Sequence, residues 1–311
     1  MKLIQNEMMK IFKKVSTYIM IGIAVIIIIA AGSLMKYAMN GSDEGTNAQW
    51  KEQLQTQNAT YAQNMKEDPS GEEYYKQQIA LNEYHIQHNI EPNEDNAWSF
   101  INTMVPVIDF VAILTIIVAA GIVASEFSTG TIKLLLIRPA SRVKILLSKY
   151  AAVILFSIFM LLLTFVVSLL VGLIFFGTGD VGPYLSYRDG AVVESSQFLH
   201  ALFAYLLSSI GLFMLTTMAF MISAAFRSSS LAIGISIFLL LMGSTITGFL
   251  AMKFEWAKYI LFANLNLNSY LDGTPFIEGM TMSFSIIMLV VYFVIFHLIA
   301  FLVFTKRDVA A

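Results

Sequence analysis

Long apolar runs alternate with short polar segments along the chain, and the spacing inside each decides what it forms. Residues 1–17 place Ile4, Met8, Ile11 and Val15 at helical intervals between Lys2, Lys10, Lys13 and Lys14. An apolar stripe flanked by lysines marks an amphipathic helix that lies in a headgroup layer. Tyr18–Met35 follows without a single charge. At about 1.5 Å per residue it is long enough to cross a hydrocarbon core, and the first span is drawn over residues 18–39. The run exceeds the apolar core of a signal peptide, about 7–15 residues, so an uncleaved span is expected. Five further runs read as spans: Thr103–Ala124, Tyr150–Phe176, Phe198–Ala225, Leu231–Met252 and Ser283–Phe304. The pattern predicts an all-α integral membrane protein of six transmembrane helices. Residues 103–304 form a five-span membrane domain, and residues 305–311 form a tail.

Residues 40–102 break the apolar pattern with eleven acids, three lysines and many Asn and Gln. Asp68-Pro69-Ser70-Gly71 is a turn signal, and Ser70 with Glu73 matches a capping box. Trp50, Leu54 and Tyr61 share one helical face before the turn; Tyr75, Ile79 and Ile86 share one after it. Two antiparallel helices of about 18–20 residues are predicted, a hairpin near 30 Å long. Residues 253–282 are too apolar for a free loop. Phe254, Trp256, Tyr259, Ile260 and Phe262 suit a re-entrant or interfacial helix or an aromatic belt, with Asn264, Asn266 and Asn268 marking a break.

Charge orients these elements. The segment 125–149, SEFSTGTIKLLLIRPASRVKILLSK, carries Lys133, Arg138, Arg142, Lys144 and Lys149 against one acid, Glu126. Within it Ile132, Leu135 and Leu136 fall at i, i+3, i+4, a short apolar helical face. Ser128 or Thr129 is expected to cap its start. Pro139 ends it, because proline lacks an amide hydrogen and disfavours a helical residue before it. Ser141 then caps the next helix. The opening helix, this loop, the turn at Arg227 and the tail hold twelve of the nineteen basic residues, with only Glu7, Glu126 and Asp308 as acids. The positive-inside bias therefore puts both termini and the 125–149 loop in the cytoplasm, and the acidic 40–102 hairpin outside.

Composition acts mainly by exclusion. With 57% hydrophobic residues and a mean hydropathy of +0.71, the chain is no ordinary soluble protein. It has no cysteine, which excludes disulfides, thiolate metal sites and a cysteine lipid anchor. There is no G-x-x-x-x-G-K-[ST], so no phosphate-cradling loop, and no H-E-x-x-H or G-x-S-x-G. Glu72-Glu73 lies in the polar hairpin, away from any span. His85, His88 and Glu91 have metal-compatible spacing, but histidines on a polar helix are commonly solvated. His200 and His297 are isolated. Asp109 is the one acid inside a span and is a candidate pathway residue, since a charge in the bilayer usually faces a cavity or partner; near the outer end it is equally open to hydration. No catalytic, cofactor-binding or metal residue is predicted, and no nucleic-acid partner.

The wording E-F-S-T-G-T-I-K-L-L-L-I-R-P-A-S-R, from Glu126 to Arg142, followed by Lys149, resembles the signature of bacterial type-2 ABC exporter permeases. In that family the glutamate closes the second span, G-T-I opens a cytoplasmic coupling helix, and R-P-x-S-R leads into the third span. The basic opening helix resembles the family's elbow helix, and residues 253–282 its outer re-entrant segment. The resemblance covers about 25 residues. It implies ATPase-coupling roles for Glu126, Gly130, Thr131, Ile132, Leu135, Leu136, Arg138, Pro139 and Arg142. It further implies two copies of an ABC ATPase subunit holding ATP and Mg2+, a second permease chain, lipid contact, and a place in the bacterial cytoplasmic membrane. A membrane-embedded enzyme and a sensor or anchor using the hairpin are the competing classes, and the substrate is not legible.

Overall fold

The computed structural model describes residues 2–41, 49–67, 71–92, 96–131, 141–179, 182–188, 190–226, 228–271 and 273–306. Its elements run α1 (Lys2–Phe12), α2 (Val15–Gly41), α3 (Gln49–Glu67), α4 (Glu72–His88), α5 (Ala97–Thr103), α6 (Val107–Ser128) and α7 (Arg142–Phe175). Then come β1 (Tyr184–Arg188), β2 (Ala191–Ser195), α8 (Gln197–Ala225), α9 (Ser229–Ala251), three short 3-10 turns, and α10 (Met282–Lys306). Six helices, α2, α6, α7, α8, α9 and α10, are long and apolar enough to cross a membrane.

Helix α6 is the axis of the bundle. Of its apolar window 61% is buried, against 17% for α2, α9 and α10, which form the outer ring. Small and hydroxyl side chains let α8 approach it closely: Ala119, Ala120 and Ala124 on α6, Ala219, Ser223 and Ala224 on α8, all buried. The hydroxyls are not stranded in this apolar contact. Thr115 Oγ1 lies 3.3 Å from Thr216 Oγ1, and Ser223 Oγ accepts from the amides of Val123 and Ala124 at 3.1 Å. The outer ring instead presents large apolar residues such as Ile26, Phe249 and Ile287 outward, as a hydrocarbon solvent requires. Helix α7 has 34 residues and at about 1.5 Å each reaches about 51 Å, well past the core thickness.

The polar insertion is a pair of helices. α3 and α4 meet through stacked Tyr61 and Tyr75, 6.0 Å between centroids, and through Asn82 Nδ2 donating to Asn58 Oδ1 at 2.8 Å. The expected turn at Asp68-Pro69-Ser70 lies outside the described residues; α4 itself starts after Gly71 without a side-chain cap.

Two features differ from the sequence expectation. An antiparallel β-hairpin pairs Tyr184 with Ser195 and Arg188 with Ala191, so the fold is not purely helical. The sequence signal for it is the Asp189-Gly190 step, with Gly190 at φ +84°. Long apolar runs on both sides hide so short an element. The hairpin rests on α4, where Tyr84 donates to Glu194 Oε1 at 3.1 Å. Secondly, the 253–282 connection folds as 3-10 turns at Glu255–Tyr259, Leu261–Ala263 and Leu267–Tyr270 rather than as one helix. The asparagines explain why. Asn264 Nδ2 donates to the carbonyls of Lys258 and Ile260, Asn264 Oδ1 accepts from Ser285, and Asn268 Nδ2 donates to Ser208 Oγ. Asn264 thereby satisfies backbone carbonyls that an α-helix would have paired itself, and both asparagines tie the segment to the flanking spans. The short helix that Ser128 or Thr129 is expected to cap lies outside the described residues. α6 continues through Ser128, and both hydroxyls donate back to the carbonyl of Ser125.

Candidate coupling site

The end of the bundle where α6 stops and α7 begins contains four charges that the fold brings into one cluster. Glu7 sits on the face of α1 that carries Ile11, four residues on, and both are buried. Glu126 closes α6 and is 9% exposed. Lys149 lies on the buried stripe of α7 with Leu146, Val153 and Phe156, and its side chain is fully enclosed. Its Nζ donates to Glu126 Oε1 at 2.6 Å and Glu7 Oε2 at 2.8 Å. Lys10 closes the square, donating to Glu7 Oε1 at 2.8 Å and Glu126 Oε1 at 3.1 Å.

Two carboxylates and two ammonium groups make this cluster neutral, which is the condition for keeping charges out of water. Burial alone pushes the Glu7 carboxyl up, but Lys149 and Lys10 overcome it and hold the group below its usual range. Burial likewise opposes the charge on Lys10, and its bond to Glu7 with the field of Glu126 raises it nonetheless. Glu126 Oε2 has no hydrogen-bond partner among the described residues.

The cluster ties three elements on both sides of the loop that leaves α6 and enters α7. Gly130 turns the chain at φ +73°, where a side chain would be strained. Thr131 is exposed, with its hydroxyl 3.0 Å from that of Thr129. Ser141 caps α7, its Oγ accepting from the Lys144 amide. Arg142 Nη1 donates to the carbonyl of Thr305 at 3.0 Å, joining the start of α7 to the end of α10. Ile132, Leu135, Leu136, Arg138 and Pro139 lie outside the described residues. Asp109 is at the opposite end, exposed in the first turn of α6. The set therefore divides: Glu126, Gly130, Thr131 and Arg142 share one end, and Asp109 is remote from them.

Glu7, Lys10 and Lys149 were legible only as charges. The overlooked signal is register: an acid on the apolar face of a basic helix, and a lysine on the apolar stripe of a span.

The histidines are engaged locally. His85 Nδ1 lies 2.8 Å from the carbonyl of Ile90, and His88 stacks on Tyr84. Among the described residues no group of three metal-ligating side chains converges. A cavity of about 450 Å³ lies between α4, α5 and the β-hairpin; it is lined by Asn102, Gln197 and Tyr184 among others. Both polar atoms of the Asn102 carboxamide, and Gln197 Oε1, are buried without a partner among the described residues.

Fold and composition define a multi-pass membrane protein. It belongs to the family described as a protein of unknown function (DUF2705), whose model matches residues 73–310. An uncharacterized protein of Bacillus subtilis (strain 168), YhcI, is 49% identical over all of this chain and 99% of its own. The uncharacterized membrane protein YdbK of the same organism is 35% identical over 63% of this chain and 76% of its own. Glu126 and Lys149 fall within the family match; Glu7 and Lys10 precede it.

Proposed function

We propose that this chain is the membrane-spanning permease subunit of a type-2 ABC exporter in the bacterial cytoplasmic membrane. Both termini and the 125–149 loop face the cytoplasm, and the α3–α4 hairpin lies outside. The observation that carries the reading is the Glu7–Lys10–Glu126–Lys149 cluster, buried except at Lys10. It clamps the opening helix to the helix ends flanking the loop whose wording resembles the coupling helix of that family. A force on the loop then reaches α6, α7 and α1 together, and α7 carries it through the membrane as one continuous helix. Arg142 passes the same displacement to α10.

The chain supplies no ATP site of its own. Two ATPase subunits hold ATP and Mg2+, a second permease chain completes the pathway, and the substrate is exported. Ile132, Leu135 and Leu136 provide the apolar face that an ATPase groove accepts. In a pull-down with a co-expressed ATPase, Leu135→Asp abolishes association, because an unpaired carboxylate enters the groove. Lys133→Ala leaves association intact. An L135D protein that binds the ATPase and transports like its parent overturns this reading.

A second reading is a sensor that binds a ligand through its outer face. The cavity beside α4, with the unpartnered Asn102 carboxamide and Gln197 Oε1 in its lining residues, favours it. A chain that purifies with no ATPase partner, yet binds a ligand lost on Asn102→Leu, supports that class instead.

A further inference from the structure

Asp109 is the one candidate residue that lies apart from the ion cluster, and the helix that carries it is open along one row. At intervals of four from it, Ile113, Ile117, Gly121 and Ser125 are half-buried, and Asp109 itself is exposed. Positions between them, such as Ala112 and Ile116, are fully buried. The central helix of the bundle thus keeps a row of side chains uncovered over most of its length. At the end near the ion cluster, Ile117 and Val118 line a cavity of about 680 Å³ together with Met20 of α2.

The other end of the row carries the charge. Asp109 and Glu126 are about 26 Å apart along the axis of α6, less than the hydrocarbon thickness of about 30 Å. With the ion cluster at one surface, Asp109 stops short of the opposite one. The amino end of α6 favours a carboxylate in its first turn, yet no cation among the described residues forms an ion pair with it. Lys36, near the far end of α2, stands over the Phe176 ring instead, at 5.7 Å. An acid at such a depth usually faces a partner or a pathway.

We infer that Asp109 and the open row of α6 form a binding site for a lipophilic organic cation. The carboxylate takes the positive charge, and Ile113 and Ile117 cover the apolar body. A metal ion fits poorly: one carboxylate supplies at most two of the about six oxygen ligands that a hard cation takes, and the apolar row stays bare. A neutral hydrophobe leaves the carboxylate unpaired. That such a cation is also the exported substrate rests on the permease reading; its binding does not.

The test is a scintillation-proximity assay of radiolabelled tetraphenylphosphonium on the purified full-length chain in detergent. The parent binds it saturably. Triphenylphosphine oxide, of similar shape without the charge, and tetramethylammonium, the charge without the apolar body, compete at least about tenfold more weakly than unlabelled probe. Asp109→Asn weakens binding at least about tenfold, and Asp109→Glu restores it. Glu73→Gln removes the same charge from an exposed position on α4 and leaves binding unchanged. Binding no greater than that of empty micelles overturns the site, as does equal binding by Asp109→Asn. Equal competition by the neutral probe removes the carboxylate from the site, and equal competition by tetramethylammonium removes the apolar row. Light scattering covers the remaining occupant: a dimer that Asp109→Asn converts to monomer means that a second copy covers the carboxylate, and this too overturns the site. No ATPase is present in the assay, so its failure and that of the coupling reading are separable.

Discussion

A lysine taken wholly out of water persists only where carboxylates replace its hydration, and Lys149 has two. Lys149→Met leaves Glu7 and Glu126 buried with Lys10 alone, and destabilisation of about 3–5 kcal/mol is expected. Adding Glu126→Gln restores neutrality and recovers much of the loss; the thermal unfolding midpoints of the single and double variants, measured in detergent, check this. The cluster also sets a pH response. The Glu7 carboxyl is lowered in the fold. Its contribution is complete above the unfolded value, about 4.3, and is lost as the pH falls through the folded one. Lys10 is raised, so its contribution is present below about 10.4 and is lost as the pH rises through its folded value. Unfolding midpoints should therefore drop on acidification below about pH 4, and Glu7→Gln should flatten that drop. An equally steep fall in the variant removes Glu7 from the explanation.

Among the elements, the spans and the small β-hairpin obey different logic. A span is specified by twenty or so apolar positions, and no single one decides it. The hairpin depends on Gly190, whose φ of +84° a β-branched residue adopts only with strain. Gly190→Val should cost about 1–2 kcal/mol locally and speed amide exchange over residues 184–195, while the spans keep their protection. Unchanged exchange there means that contacts with α4 and Gly273, rather than the turn, hold the hairpin. Close packing is also decided between elements: a Cβ on Gly172 would approach the Ala97 backbone to 3.0 Å, and one on Gly243 would meet the Phe262 ring at 2.4 Å. Both glycines read only as neutral interruptions of apolar runs until the second element is in place.

For the molecule as a whole, sidedness is the open consequence of charge segregation. The chain has no cysteine, so any introduced thiol is unique. Cysteine at Ser128 or Thr305 should react with an impermeant reagent only in inside-out vesicles, and cysteine at Glu73 only in intact cells. Labelling of Ser128→Cys in intact cells inverts the architecture and removes the loop from reach of any ATPase. Apolar period and charge are properties of a line of residues, and on its own the chain determined six spans, a helical polar insertion and a biased loop. It also carried the Asp189-Gly190 signal between the two strands of the hairpin. Tertiary structure alone decided which charges meet. Glu7 and Lys149 are separated by 142 residues, and nothing in local spacing states that they are neighbours. Their pairing follows from how α1 docks across α6 and α7, because a fully enclosed ammonium group is admissible only where a distant carboxylate is brought within hydrogen-bond reach.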